Sequence, residues 1–326
     1  MLIRRILGAL PLVIGAATLV FVALDTAPGN PADLLLGEGP VPPEVRQRIE
    51  RVYGYDRPAL ERYAGWIGDL FLRGDLGWSH SRSRPVATLL AEALPATLRL
   101  AGAALLLHLT VGLLLGVLAA AWRERWPDRA LTLGSLLLYA MPTFWLGLMA
   151  ILLGSYALPL FPASSMSSVG AEDWSLAARW GDALWHLCLP ALVLGCASAA
   201  GLARFVRAGL LEALGQEFIR AARARGLGAT RLLWRHALRS ALLPVINLVG
   251  LSLPILVSGS LVVEVVFAWP GMGRLTYDAI LARDVSVVLA TTVLSAWLVV
   301  AGNLAADLAM LAADPRIRLA TTRRSA

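Results

Sequence analysis

At 326 residues the chain is long enough for two soluble domains, but 58% of it is hydrophobic, only 16% is charged and its mean hydropathy is +0.68. Soluble globular domains fall outside that range, and the apolar residues come in blocks of about 20, the length that crosses a hydrocarbon core. The net charge of +7 rests on 29 arginines without one lysine, spread between the apolar blocks, which argues against a basic, aromatic-studded nucleic-acid-binding face.

The first block, Ile6–Leu24, follows Arg4 and Arg5. It exceeds the apolar core of a signal peptide, and Asp25-Thr26-Ala27-Pro28 does not read as a cleavage site, so a spanning helix is predicted. The segment from Asp25 to Arg99 carries nine arginines nearly balanced by acids, as a folded extramembrane segment would. Within it Val45, Ile49 and Val52 recur at helical spacing after Pro42-Pro43, and Leu60, Tyr63, Ala64, Ile67, Leu70 and Phe71 do so after Pro58. Two short amphipathic helices capping the outer face are predicted there.

Five more blocks have spanning length: Leu100–Ala121, Ala130–Leu153, Trp185–Ala203, Ala241–Val263 and Val287–Leu311. The expected architecture is therefore an all-α membrane protein with six transmembrane helices and an external helical segment between the first two. Orientation follows from the arginines of the short loops, because positive loops resist translocation. With the N-terminus inside, 17 arginines face the cytoplasm and three (Arg179, Arg274 and Arg283) face outward in short loops, which predicts N-in, C-in. Linear organisation is expected as residues 1–99, a five-helix core over 100–313, and a cytoplasmic tail over 314–326.

Cys188 and Cys196 share one apolar block, and His80, His108, His186 and His236 are scattered without ligand spacing, so neither a disulfide nor a metal site is expected. Ser, His and acidic residues form no recognisable catalytic constellation. Asn303 and Asp307, one turn apart in the last span, read as an interhelical contact rather than a proton path, and Pro244 and Pro254 predict kinks in the fifth span. No pair of broken helices in matching halves marks a secondary transporter.

The loop from Arg204 to Ser240 is too long for a turn and too apolar for disorder. Leu210, Leu211, Leu214 and Phe218 sit at helical spacing, Gly226 and Gly228 interrupt, and Leu232, Leu233, Ala237 and Ala241 continue a second face, so two helices meeting at a glycine corner are predicted. Arg231, Arg235 and Arg239 form a stripe suited to lipid headgroups or a partner protein. Ala221-Ala222 beside the corner would let another surface approach the backbone closely.

The stretch Phe218-Ile219-Arg220-Ala221-Ala222-Arg223-Ala224-Arg225-Gly226-Leu227 resembles the cytoplasmic coupling loop of ABC-importer permeases, whose Glu-Ala-Ala-x-x-x-Gly signature docks on an ATPase. Arg220 stands where that signature has Glu and Arg239 where it has Pro; with His236–Arg239 these departures resemble the dipeptide/oligopeptide branch. Similar pieces recur in order along the chain: Pro28–Pro31, Gly74–Ser79, Arg84–Val86, Leu94–Leu98, Pro142–Gly147, Glu264–Arg274 and Asp314–Arg318. The resemblance implies a type I importer permease of the bacterial inner membrane. Its implied partners are a second related permease, one or two cytoplasmic ATPase subunits, an external substrate-binding protein and membrane lipid, with no nucleic acid.

It also implies coupling through Phe218, Arg220, Ala221, Ala222, Arg223, Arg225, Gly226 and Leu227, with peptide as the cargo and nickel or glutathione-type substrates as alternatives within the family. ATP would be bound by the partner: P-loop hydrolysis needs a lysine at the phosphates, and this chain has none and no cofactor of its own. A proton-coupled transporter working alone is the competing reading.

Overall fold

The computed structural model describes residues 2–27, 42–52, 56–238, 241, 245 and 260–313. Most of the expected fifth span with Pro244, Asn247 and Pro254, the Pro28–Pro31 motif, Arg239 and the tail from Asp314 lie outside the described residues. The remainder is helical apart from one two-stranded hairpin and short connections. Among the described residues four helices are long and apolar enough to cross a membrane, Gly8–Thr26, Val86–Ala121, Leu176–Leu214 and Val285–Leu308, and a bent pair makes five if it counts as one span.

The chain forms two compact units. In the first, residues up to Thr97 are joined by Pro270–Val300, so the unit is not contiguous in sequence. Its helices are α1 (Leu2–Thr26), α2 (Pro43–Val52), α3 (Ala59–Gly68, widening into a π turn over Asp69–Arg73), the start of α4 (Val86–Ala121), α10 (Met272–Leu281) and the first half of α11 (Val285–Ala313). Both predicted outer helices exist. However, α3 does not cap the end of α1 but lies antiparallel along it. Arg62 pairs with Asp25, Tyr63 hydrogen-bonds Thr18 at 2.6 Å and meets the Phe21 ring at a tilt with centroids 4.9 Å apart, and Trp66 and Leu70 pack with Val13, Ala17 and Val293. Leu60, Ala64 and Phe71, expected on the buried face, are exposed. The reason is that α1 offers a narrow strip, and only residues on one line of α3 reach it.

The hairpin pairs β1 (Trp78–Ser79) with β2 (Arg84–Pro85) and is fastened by one carboxylate. Asp284, 4% exposed, accepts from Ser79 Oγ at 2.6 Å, Ser81 Oγ at 2.7 Å and Ser81 N–H at 3.1 Å. Its charge is thus satisfied by three donors, the condition for burying it at tolerable cost. Beneath the hairpin, Val86, Leu89, Leu90 and Ala93 of α4 pack against Met272, Leu275, Ala279 and Val287.

The second unit holds the rest of α4, α5 (Trp126–Ala140), α6 (Thr143–Ile151, continuing as a π turn over Leu152–Ala157) and α7 (Leu176–Leu214). The third expected span is not one straight helix: α5 and α6 meet at 104°. Pro142 lacks an amide hydrogen and forces the preceding residue out of helical conformation, and Met141 sits at φ −78°, ψ 135° accordingly.

α4 and α7 cross with their backbones nearly touching. A side chain at Gly112 would meet Leu202 at 2.7 Å, one at Gly116 would meet the Ala203 carbonyl oxygen and Val206 at 2.7 Å, and one at Gly195 would meet the Ala104 carbonyl oxygen at 2.8 Å. Gly112 and Gly116 are four apart, the small-xxx-small spacing that lets membrane helices approach when lipid supplies no hydrophobic drive.

α7 has 39 residues, about 58 Å, nearly twice a hydrocarbon core. Exposed Trp174, Trp180 and Trp185 cluster around its start, and Trp185 lies about 28 Å from Arg204 at 1.5 Å per residue, which matches one bilayer crossing. The last ten residues of α7 therefore extend past one bilayer-length crossing as an arm, with Val206 and Leu210 still in one buried cluster with Val117 and Ala120 of α4.

Candidate functional site

The arm ends at Gly215, whose amide bonds the Glu212 carbonyl at 3.0 Å while Gln216 turns extended. A separate helix, α8 (Glu217–Ala224), follows. This break corrects the expectation that Leu210 to Phe218 share one helical face, because Gly215 resets the rotation. Ile219 and Ala222 point inward, 0% and 1% exposed, into a cluster with Leu210 and Ala213 of α7 and with Leu232, Leu233 and Ala237. Ala241 and Val245, at the start of the expected fifth span, close the same cluster.

At about 100° per residue, the direction opposite Ile219 and Ala222 falls between Glu217 and Ala224, flanked by Arg220 and Ala221. The small residues facing outward are thus Ala221 and Ala224. Ala222, paired with Ala221 in the sequence reading, instead fills the core. Phe218 and Arg225 lie on one flank of the ridge, Arg220 and Arg223 on the other, all exposed.

The predicted glycine corner is present at Gly226, which has φ +82°. Its amide bonds the Arg223 carbonyl at 2.9 Å and the next amide, Leu227, bonds Ala222 at 3.4 Å, with Leu227 packed on the cluster that contains Ala222. This is a Schellman cap with its accompanying apolar contact. A side chain at 226 would meet nothing within 4 Å, so glycine is required here by backbone conformation and not by space. Beyond it, α9 (Ala229–Arg231) runs into a π turn over Leu232–Ala237, where Arg231 and Arg235 are exposed as the stripe predicted.

The arm is held to α5 by residues that the sequence reading counted only as charge. Arg207 donates through Nε at 2.6 Å and Nη2 at 2.7 Å to the two oxygens of Asp128, which also accepts from the Glu124 amide at 2.9 Å. The side chains are 29% and 4% exposed. Asp128 stands in the first turn of α5 after Pro127, where the helix dipole favours an anion. Arg204 lies 4.9 Å over the Tyr139 ring, a second tie between the same helices. The legible signal was an acid placed among Arg123, Arg125 and Arg129 just inside a helix start.

A second polar cluster was not anticipated. Ser168 donates to Asp182 through Oγ at 2.6 Å and its amide at 2.8 Å, its Oγ lies 3.2 Å from His186 Nε2, and His186 Nδ1 faces the carbonyls of Ser164 and Ser165 at 3.1 and 3.2 Å. A nucleophilic triad needs the carboxylate on the far imidazole nitrogen. Here that nitrogen meets backbone carbonyls, so the cluster ties the loop before α7 to the helix. Beside it opens a cavity of ≈ 520 Å³, walled by Trp180, Leu187 and Trp269 and bearing Arg99, Arg179 and Glu172.

Residues 112–319 match the family "Binding-protein-dependent transport system inner membrane component", and residues 1–101 match the N-terminal component of the same systems. The chain is 40% identical over 317 residues to the oligopeptide transport system permease protein AppB of Bacillus subtilis, covering 97% of this chain and 98% of that one. It is 35% identical over 316 residues to the glutathione transport system permease protein GsiC of Escherichia coli, again covering 97% and 98%. The fold is similar to a chain of the MetNI methionine ABC transporter in inward-facing form, with a TM-score of 0.57 at 21% identity over 70% of this chain and 97% of that one. The protein is a multi-pass membrane permease and belongs to the inner-membrane components of binding-protein-dependent ABC transport systems.

Proposed function

We propose that this chain, with its N- and C-termini in the cytoplasm, carries peptides across a bacterial inner membrane as one permease of a pair. ATPase subunits that drive it dock on α8 and the turn after it, and an external binding protein delivers the cargo. The observation that carries this reading is the projecting arm. α8 is fixed to the core through Ile219 and Ala222 and stopped by a Schellman cap, and the end of α7 before it is tied to α5 by Arg207, so a push on α8 is passed to packed helices. Its exposed residues include six of the eight expected to couple, Phe218, Arg220, Ala221, Arg223, Arg225 and Gly226, while Ala222 and Leu227 anchor the helix from inside. Energy must come from a partner, since no lysine is present to reach a nucleotide phosphate.

The names of the peptide relatives support the cargo class, and the cavity beside α7, with both signs of charge and apolar walls, suits a short zwitterionic chain. The glutathione relative favours a second reading, in which the cargo is a small thiol tripeptide.

The test is ATP hydrolysis by the complex reconstituted in lipid with loaded binding protein. Stimulation is expected to require this chain and to be lost in Gly226→Pro, because proline holds φ near about −65° and cannot adopt the conformation at 226. Gly226→Asn, which tolerates a left-handed backbone, should retain most of it. Peptide uptake by this chain alone, driven by a pH gradient without ATPase, would overturn the reading in favour of a secondary transporter.

A further inference from the structure

The exposed surface of α8 and the turn after it has a composition that says what it must meet. Arg220, Arg223 and Arg225 on α8 and Arg231 and Arg235 after it are all solvent-facing, and the acid on the same short helix, Glu217, reaches only Arg220, at 3.3 Å with both side chains mostly exposed. A pair that exposed neutralises little. Five guanidinium groups within 16 residues thus face outward, and among the described residues the one ion pair that any of them makes is Arg220 with Glu217. Between the flanking arginines the outward line runs through Glu217, Ala221 and Ala224, so past the first turn the surface is low, and on the other flank Phe218 stands 45% exposed.

We infer that the ATPase surface receiving α8 is a groove lined by carboxylates, with an apolar recess for Phe218 and a wall that comes close to the backbone along Ala221 and Ala224. The inference rests on the docking reading above and adds the chemistry of the partner to it. Arginine is suited to this task, since its planar fork binds a carboxylate through two parallel hydrogen bonds and sheds water more readily than an ammonium. Where the family signature has an acid, this chain has Arg220, so the groove must carry the opposite sign to one built for that signature. Anionic headgroups would also attract the arginines. A fluid headgroup layer, however, makes no use of a low alanine ridge with cations on both flanks, whereas a groove wall does.

The experiment measures association of the purified cognate ATPase subunits with the permease pair in nanodiscs, at low and raised salt. Four forms of this chain are compared: the natural sequence, the triple reversal R220E/R223E/R225E, the triple lysine replacement R220K/R223K/R225K, and Gly226→Pro. Expected are weakening of the natural complex as salt rises from about 50 to about 300 mM, a loss of at least about tenfold in affinity on reversal, and a smaller loss with lysine, which keeps the charge but not the fork. Salt-independent binding with the reversal within about twofold of the natural chain, while Gly226→Pro abolishes it, would overturn the acidic groove and leave the docking reading standing. Binding unaffected by every variant would overturn both. If the reversal matters only in nanodiscs rich in phosphatidylglycerol and not in neutral ones, the arginines serve lipid and the inference falls.

Discussion

Arg207→Ala is expected to cost about 3 kcal/mol of stability, at the lower end of what breaking a buried ion pair costs, because it leaves Asp128 almost wholly buried without its bidentate partner. The Glu124 amide remains on one oxygen of Asp128 and cannot replace two charge-assisted bonds. Arg207 is itself 29% exposed, so the reverse change is milder: Asp128→Asn removes the buried charge and lets the guanidinium hydrate, at about 1–2 kcal/mol. In thermal unfolding of the detergent-solubilised chain the first substitution should lower the midpoint by roughly 6–12 °C and the second by about half as much. The double variant should lose less than the sum, which identifies a coupled pair. Equal small effects from both single variants would show that the pair is not buried in solution as it is here.

Gly116→Ala tests the crossing of α4 and α7 with the smallest possible probe. The added methyl would sit 2.7 Å from the Ala203 carbonyl oxygen and from Val206. A backbone oxygen cannot rotate away, so the helices must separate, and overpacking of this kind costs about 1–3 kcal/mol even though alanine is the better helix former. Gly116→Leu should prevent the contact and leave little properly inserted protein. Gly134 supplies the control: its added methyl would meet nothing within 4 Å, so Gly134→Ala should be neutral or gain up to about 1 kcal/mol. Midpoints of unfolding for the two alanine variants should therefore move in opposite directions or differ clearly. A stabilised Gly116→Ala would mean the two helices do not approach as closely as the backbone indicates.

Four of the expected spans, and the apolar stretch of the bent pair, were legible because hydropathy over about 20 residues is a local property. The corner at Gly226 was legible as well, since a glycine after a run of helix formers is a helix stop. The outward face of α8 was not, because the chain turns at Gly215 and any helical wheel begun at Leu210 is out of phase by Phe218. The bend at Pro142 could have been read from the residue itself; the apolar run on both sides concealed it. Gly112 and Gly116 likewise carry their spacing in plain view, although only the partner helix shows which glycines are pressed and which, like Gly134, are free. Asp284 and Asp128 belong to a different class. Their distant donors lie 205 and 79 residues away along the chain, and although the place of Asp128 inside a helix start is a local signal, nothing local names its partner.

Those separations also order events during synthesis. Asp25 and Arg62 are 37 residues apart, and Thr18 and Tyr63 are 45, so α1 can find its companion α3 while most of the protein has yet to leave the ribosome. Asp128 must wait for Arg207. Ser79 and Ser81 wait longest, for the residue that opens the final helix, and until Asp284 emerges the hairpin they belong to has nothing to fasten it. A chain cut short before residue 284 would thus keep its α1–α3 pair and its Asp128 clamp, and leave the hairpin unfastened.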